Sequence, residues 1–144
     1  MRKTTTFAAA LALAQNAPHI ALEILGTVKQ QNYMTVRNLK VVALAQLGRC
    51  DDVLPVLRSV IEVHDLAQNK HTFCKDVLVV VKNIIEQSGD KEVLEKFERI
   101  EKILIENQLV SDTVSRVLLS STVTLSLFLL NLIILLSSSH CILY

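Results

Sequence analysis

Residues 10–25 and 42–57 align at an offset of 32, with Asn16 on Gly48, Ala21 on Val53, Leu22 on Leu54, Ile24 on Val56 and Leu25 on Leu57. The string Ala12-Leu13-Ala14-Gln15 recurs as Ala43-Leu44-Ala45-Gln46, one residue out of phase. Periods in the thirties belong to helix–turn–helix arrays, in which neighbouring hairpins bury each other's apolar faces. The turn residues agree. Asn16 suits the N-cap of a helix whose first turn holds Pro18, and Gly48 suits the left-handed residue that ends a helix. Asp51 or Asp52 then caps the next helix, with Pro55 near its first turn. Leu22 and Leu54 are expected at equivalent buried sites. Three Gly and two Pro in 144 residues leave too few turn formers for a sandwich or barrel. A hydrophobic content of 51% excludes a disordered tail.

Helical periodicity continues past the repeat. Phe73, Val77, Val80, Val81 and Ile84 step by three and four before Gly89, and Val93, Phe97, Ile100 and Leu104 share one face of the segment from Asp90 to Gln108. Glu92–Lys96, Glu95–Arg99 and Glu98–Lys102 stand at i,i+4 on the opposite face, where each pair contributes only ~0.2–0.5 kcal/mol. Ser111 or Asp112 can start one more helix. The expected fold is therefore all-α. Helical hairpin repeats stacked as an α-α superhelix occupy 1–66, further amphipathic helices occupy 67–116, and an apolar C-terminal helix lies in an uncharged tail, 117–144.

Both ends carry a second reading. The start has Arg2 and Lys3 before the apolar run Phe7–Ala14, as in a secretory signal peptide. The repeat begins inside that run, so Thr4 to Gln15 is read as the first helix. Val117–Leu136 has fourteen apolar residues in twenty and no charge, enough at 1.5 Å per residue to cross a ~30 Å hydrocarbon core. Six Ser, Thr and Asn residues within it weigh the other way, and membrane contact of 117–136 stays open.

Charge is divided along the chain. Residues 1–50 hold six Lys/Arg and one acid, Glu23, whereas 51–116 hold nine bases and thirteen acids. A basic first third suits a polyanion, and equally a solvated basic face. Cys50, Cys74 and Cys141 are odd in number and widely spaced, which suits reduced, buried thiols. No Gly-rich phosphate loop is present. His71-x-x-Cys74 offers two of the four ligands that a structural zinc needs, so no metal or cofactor is expected. Acids at 90–106 alternate with bases as solvated charge. No catalytic residue is assigned and no enzyme is expected.

The run Leu47-Gly48-Arg49-Cys50-Asp51-Asp52-Val53-Leu54-Pro55-Val56-Leu57 resembles the inter-helix turn of a pentatricopeptide repeat. The resemblance implies a mitochondrial, non-enzymatic factor for RNA processing and maturation, supporting respiratory-chain expression, with single-stranded mitochondrial RNA and other RNA-processing proteins as partners. Such arrays read about one base per repeat through a few side chains. The family's base-reading position near the start of each first helix falls on Phe7 and Leu39, which cannot hydrogen-bond a base, although Thr6 and Asn38 sit beside them. The expected RNA contacts are Lys29, Arg37, Asn38, Lys40 and Arg49. The alternative is a helical protein–protein interaction scaffold, membrane-tethered through 117–136.

Overall fold

A computed structural model describes residues 2–62 and 72–112. The chain there is mainly helical: α1 (Arg2–Ala14), α2 (Pro18–Gly26), α3 (Met34–Gln46), α4 (Cys50–Glu62), α5 (Lys75–Ser88) and α6 (Lys91–Glu106), with two short strands, β1 (Phe73–Cys74) and β2 (Val110–Ser111). The expected apolar C-terminal helix, the 117–136 membrane reading, His71 and Cys141 lie outside the described residues.

The helix bounds keep the 32-residue offset. Arg2 and Met34 open α1 and α3, Ala14 and Gln46 close them, and Pro18 and Cys50 open α2 and α4. The turns share their chemistry as well. Asn16 (φ 57°) and Gly48 (φ 76°) are both left-handed. In each turn the next N–H reaches back to close the helix end, Ala17 to the Ala12 carbonyl and Arg49 to the Leu44 carbonyl, both at 2.9 Å. Asn16 therefore ends α1 rather than capping α2, whose N-cap position is Ala17 with no side-chain bond. Asp51 and Asp52 likewise lie inside the first turn of α4, where carboxylates favour the helix dipole, and Pro55 falls inside that helix. Short turns fold each successive pair back on itself.

α3 occupies the centre, packing on α1, α2, α4, α5 and β1, while α6 packs on α4 and α5. Its two opposite stripes are both covered. Val41 and Ala45 are buried, and so are Val36, Leu39 and Ala43 at i, i+3 and i+7. In α1 only the first stripe has a neighbour. Ala9 and Leu13 are buried, but Phe7 and Leu11, the counterparts of Leu39 and Ala43, are 65% and 46% exposed. Leu22 shows the same end effect: it is half-buried where Leu54 is buried.

The second half departs from the sequence reading in two places. Phe73 and Ser111 were expected in or at the start of helices, yet Phe73–Cys74 and Val110–Ser111 pair as parallel strands. Gln108 (φ 58°) ends α6 and turns the chain back, so that the Leu109 carbonyl accepts from Thr72 N at 2.9 Å and Phe73 N at 3.2 Å. Helix α5 consequently starts at Lys75 and buries Val77, Leu78, Val81 and Ile85. Val93, Phe97, Ile100 and Leu104 of α6 are buried as expected. Of the expected ion pairs Lys96–Glu92 forms at 2.6 Å, whereas Glu98 turns to Lys82 of α5 at 3.2 Å and Lys102 lies 4.0 Å from Glu106.

Candidate nucleic-acid interface

Within the basic first third, the link between α2 and α3 forms an open surface. Thr27 Oγ1 donates to the Ile24 carbonyl at 2.7 Å, and Gln31 Nε2 donates to the Leu25 and Val28 carbonyls at 2.9 and 2.6 Å, which folds the link tightly over the end of α2. Lys29, Gln30, Gln31, Asn32 and Tyr33 then line an open depression of about 510 Å³. No acid occurs between Glu23 and Asp51. Lys29 is exposed and Lys40 is half-buried on α3. Arg49 is exposed at the second hairpin turn, its Nε donating to Asp52 at 2.7 Å.

The other two expected contacts are not surface groups. Asn38 is 3% exposed, and its amide behaves as a short strand partner for β1. Its Oδ1 accepts from Cys74 N at 3.0 Å, while its Nδ2 donates to the Thr72 carbonyl at 3.3 Å and the Met34 carbonyl at 2.7 Å. With its donors and acceptor engaged inside the core, Asn38 has nothing to offer a base. Arg37 is 7% exposed. Its Nη2 donates to Asn32 Oδ1 at 3.2 Å, its buried Nη1 has no hydrogen-bond partner, and burial holds the guanidinium pKa below its ordinary value. From Val36 to Ala45 every residue of α3 but Lys40 is buried, so the backbone and stems of both residues are enclosed. The apolar residues Val36, Leu39, Val41, Val42 and Leu44, spread around the helix, are the signal for this in the sequence.

The would-be base-reading positions divide between surface and core. Phe7 is exposed and Leu39 is buried. Thr6, beside Phe7, donates its hydroxyl to the Lys3 carbonyl at 3.1 Å. At the would-be base-reading positions themselves the side chains are apolar, so what Lys29, Lys40 and Arg49 offer is cationic charge, the chemistry of phosphate contact.

Among the described residues, no three His, Cys, Asp or Glu side chains gather as metal ligands, and no helix is long and apolar enough to cross a membrane. Cys50 and Cys74 are buried free thiols. Burial raises the pKa of each, with Asp51 and then Asp90 adding to the effect at Cys50, and Asp76 at Cys74. No family model, curated protein or solved structure matches the chain.

Proposed function

We propose that this chain is a helical-hairpin array of the pentatricopeptide type that binds single-stranded RNA without catalysis and serves RNA maturation in mitochondria. The observation that carries the reading is the 32-residue recurrence of helix bounds and left-handed turn residues, set in a stretch, 24–50, that holds four bases and no acid. The order of segments from Arg2 to about Leu119 also resembles the C-terminal part of the mitochondrial pentatricopeptide repeat domain-containing protein 2, and the mitochondrial location comes from that likeness.

Lys29, Lys40 and Arg49 supply phosphate neutralisation, a sequence-independent attraction. Burial of Asn38 and Leu39 removes base readout from the second hairpin, so binding is weak and indifferent to sequence. Changing Lys29, Lys40 and Arg49 together to Gln tests this by fluorescence anisotropy on poly-U and mixed-sequence oligonucleotides. The reading predicts that the triple variant loses binding to both. Retained binding, or a strong preference of the unaltered chain for one sequence, contradicts it.

A further inference from the structure

We propose that the N-terminal end of α3, with Arg37 behind it and Lys29 beside it, is an oxyanion site that takes a phosphate group. The choice of an RNA backbone phosphate as its source rests on the reading above.

Three observations converge there. The first is the helix end itself. The first bond of α3 to its N-cap runs from Arg37 N to the Tyr33 carbonyl at 3.0 Å, and Tyr33 supplies no side-chain cap for the N–H groups of Met34, Thr35 and Val36. Such N–H groups, with the positive end of the helix dipole, attract anions.

The second is Arg37. A guanidinium removed from water is costly unless an anion pairs with it, and an unsatisfied buried polar atom calls for an explanation. Arg37 is nine-tenths buried with Nη1 unpartnered. Its bond to the neutral Asn32 Oδ1 is 3.2 Å, longer than the about 2.7–2.9 Å of a guanidinium–oxyanion bond. No carboxylate among the described residues lies within ion-pair distance of it.

The third is the approach. Arg37 lies one turn into α3, and side chains in a helix lean toward its N-terminus, which brings the guanidinium to Asn32, a wall residue of the depression that Lys29 also lines. Asn32 is exposed, so it can yield its place to a phosphate oxygen with little loss of packing. The oxygen would then take the guanidinium fork, and Lys29 would add a second positive charge.

The test uses the full chain. The backbone N–H groups of Met34, Thr35 and Val36 are followed by nuclear magnetic resonance during titration with inorganic phosphate, at constant ionic strength against chloride. Saturable shifts are expected at those groups. Asn32→Asp, which supplies an oxyanion from within, and Arg37→Met, which removes the charge, should each weaken phosphate binding at least about tenfold. Both should also melt no lower than the unaltered chain, because each relieves an unpaired buried charge. Gln46→Glu, at the exposed far end of α3, controls for added negative charge. No phosphate shifts, or equal shifts in Asn32→Asp, overturn the site.

A short oligouridylate forms the second arm. If it moves the same N–H groups and loses affinity in Asn32→Asp but not in Gln46→Glu, the phosphate belongs to RNA. If phosphate binds there and the oligouridylate leaves those groups unmoved, the oxyanion site holds as one for free phosphate and its assignment to RNA is overturned. If the oligouridylate binds the unaltered chain and Asn32→Asp alike, the anchor is overturned while the RNA reading stands.

Discussion

Asn16 and Gly48 stand 32 residues apart and take the same left-handed conformation, each ending a helix whose partner begins two residues later. A glycine adopts that conformation freely, whereas a side chain with a Cβ costs roughly 1–2 kcal/mol there, somewhat less for Asn. A Cβ built on Gly48 meets nothing within 4 Å, so only the backbone term separates the two sites. Gly48→Ala should lower unfolding stability by about 1 kcal/mol, and Asn16→Gly should leave it unchanged or raise it. Denaturant titration of both variants checks this. A loss in Asn16→Gly would mean that the two turns are not equivalent.

Asn38 ties the two halves together by holding Cys74 N and the Thr72 carbonyl from α3. Asn38→Ala should leave both groups buried and unpaired, at about 1–3 kcal/mol each. The Cys74 amide should then exchange with solvent far faster, while amides in α1 and α2 change little. Uniform acceleration across the chain, or none at Cys74, would contradict the clip.

Leu39 and Phe7 occupy corresponding positions with opposite burial, 2% against 65%. Leu39→Ala should cost ~2–5 kcal/mol by opening a cavity in the core around α3. Phe7→Ala should cost less than about 1 kcal/mol, since the ring loses little cover. Thermal unfolding of the pair measures the difference, and equal losses would refute the packing order.

Two buried thiols set the alkaline behaviour. The folded pKa of Cys50 and of Cys74 is raised, chiefly by burial, above that of the unfolded chain. The unfolded chain therefore releases these protons first. Their contribution is fully present below the ordinary thiol pKa of about 8.5 and is lost as pH rises toward the folded values. The pKa of Lys82 is raised, first by its hydrogen bond to Glu98, and acts in the same direction at higher pH. Replacing both cysteines by Ala should flatten the decline of stability just above pH ~8.5. An unchanged slope would place the alkaline transition elsewhere.

The sequence made the hairpins legible because their signals are local. The Asn16/Gly48 offset, the Pro18 start and the Val93–Leu104 stripe each follow from a few neighbouring residues. The β1–β2 pair was not legible: Phe73 fits a helical period as well as a two-residue strand, and only the return of the chain at Gln108 selects the strand. The site was half legible. Lys29, Lys40 and Arg49 reach the surface as their charge implies, but Arg37 is expected there for its charge and Asn38 for its place beside Leu39, and neither ground says which way a helix residue faces. Both belong to a helix covered on two opposite sides, where Asn38 is engaged in internal hydrogen bonds and Arg37 is enclosed with Asn32 accepting from its Nη2. Phe7 and Leu39 stand 32 residues apart at corresponding points of α1 and α3, and only the neighbours that cover the central helix α3 decide which is buried.

The salt dependence of RNA binding tests the central claim most directly. With Lys29, Lys40 and Arg49 each neutralising a phosphate of a single strand, the logarithm of affinity for poly-U should fall against the logarithm of salt with a slope of about −2, and about −3 if Arg37 also engages. A mixed-sequence oligonucleotide should give the same slope and nearly the same affinity. A flat salt response, or no binding at low salt, would contradict a phosphate-bound RNA partner.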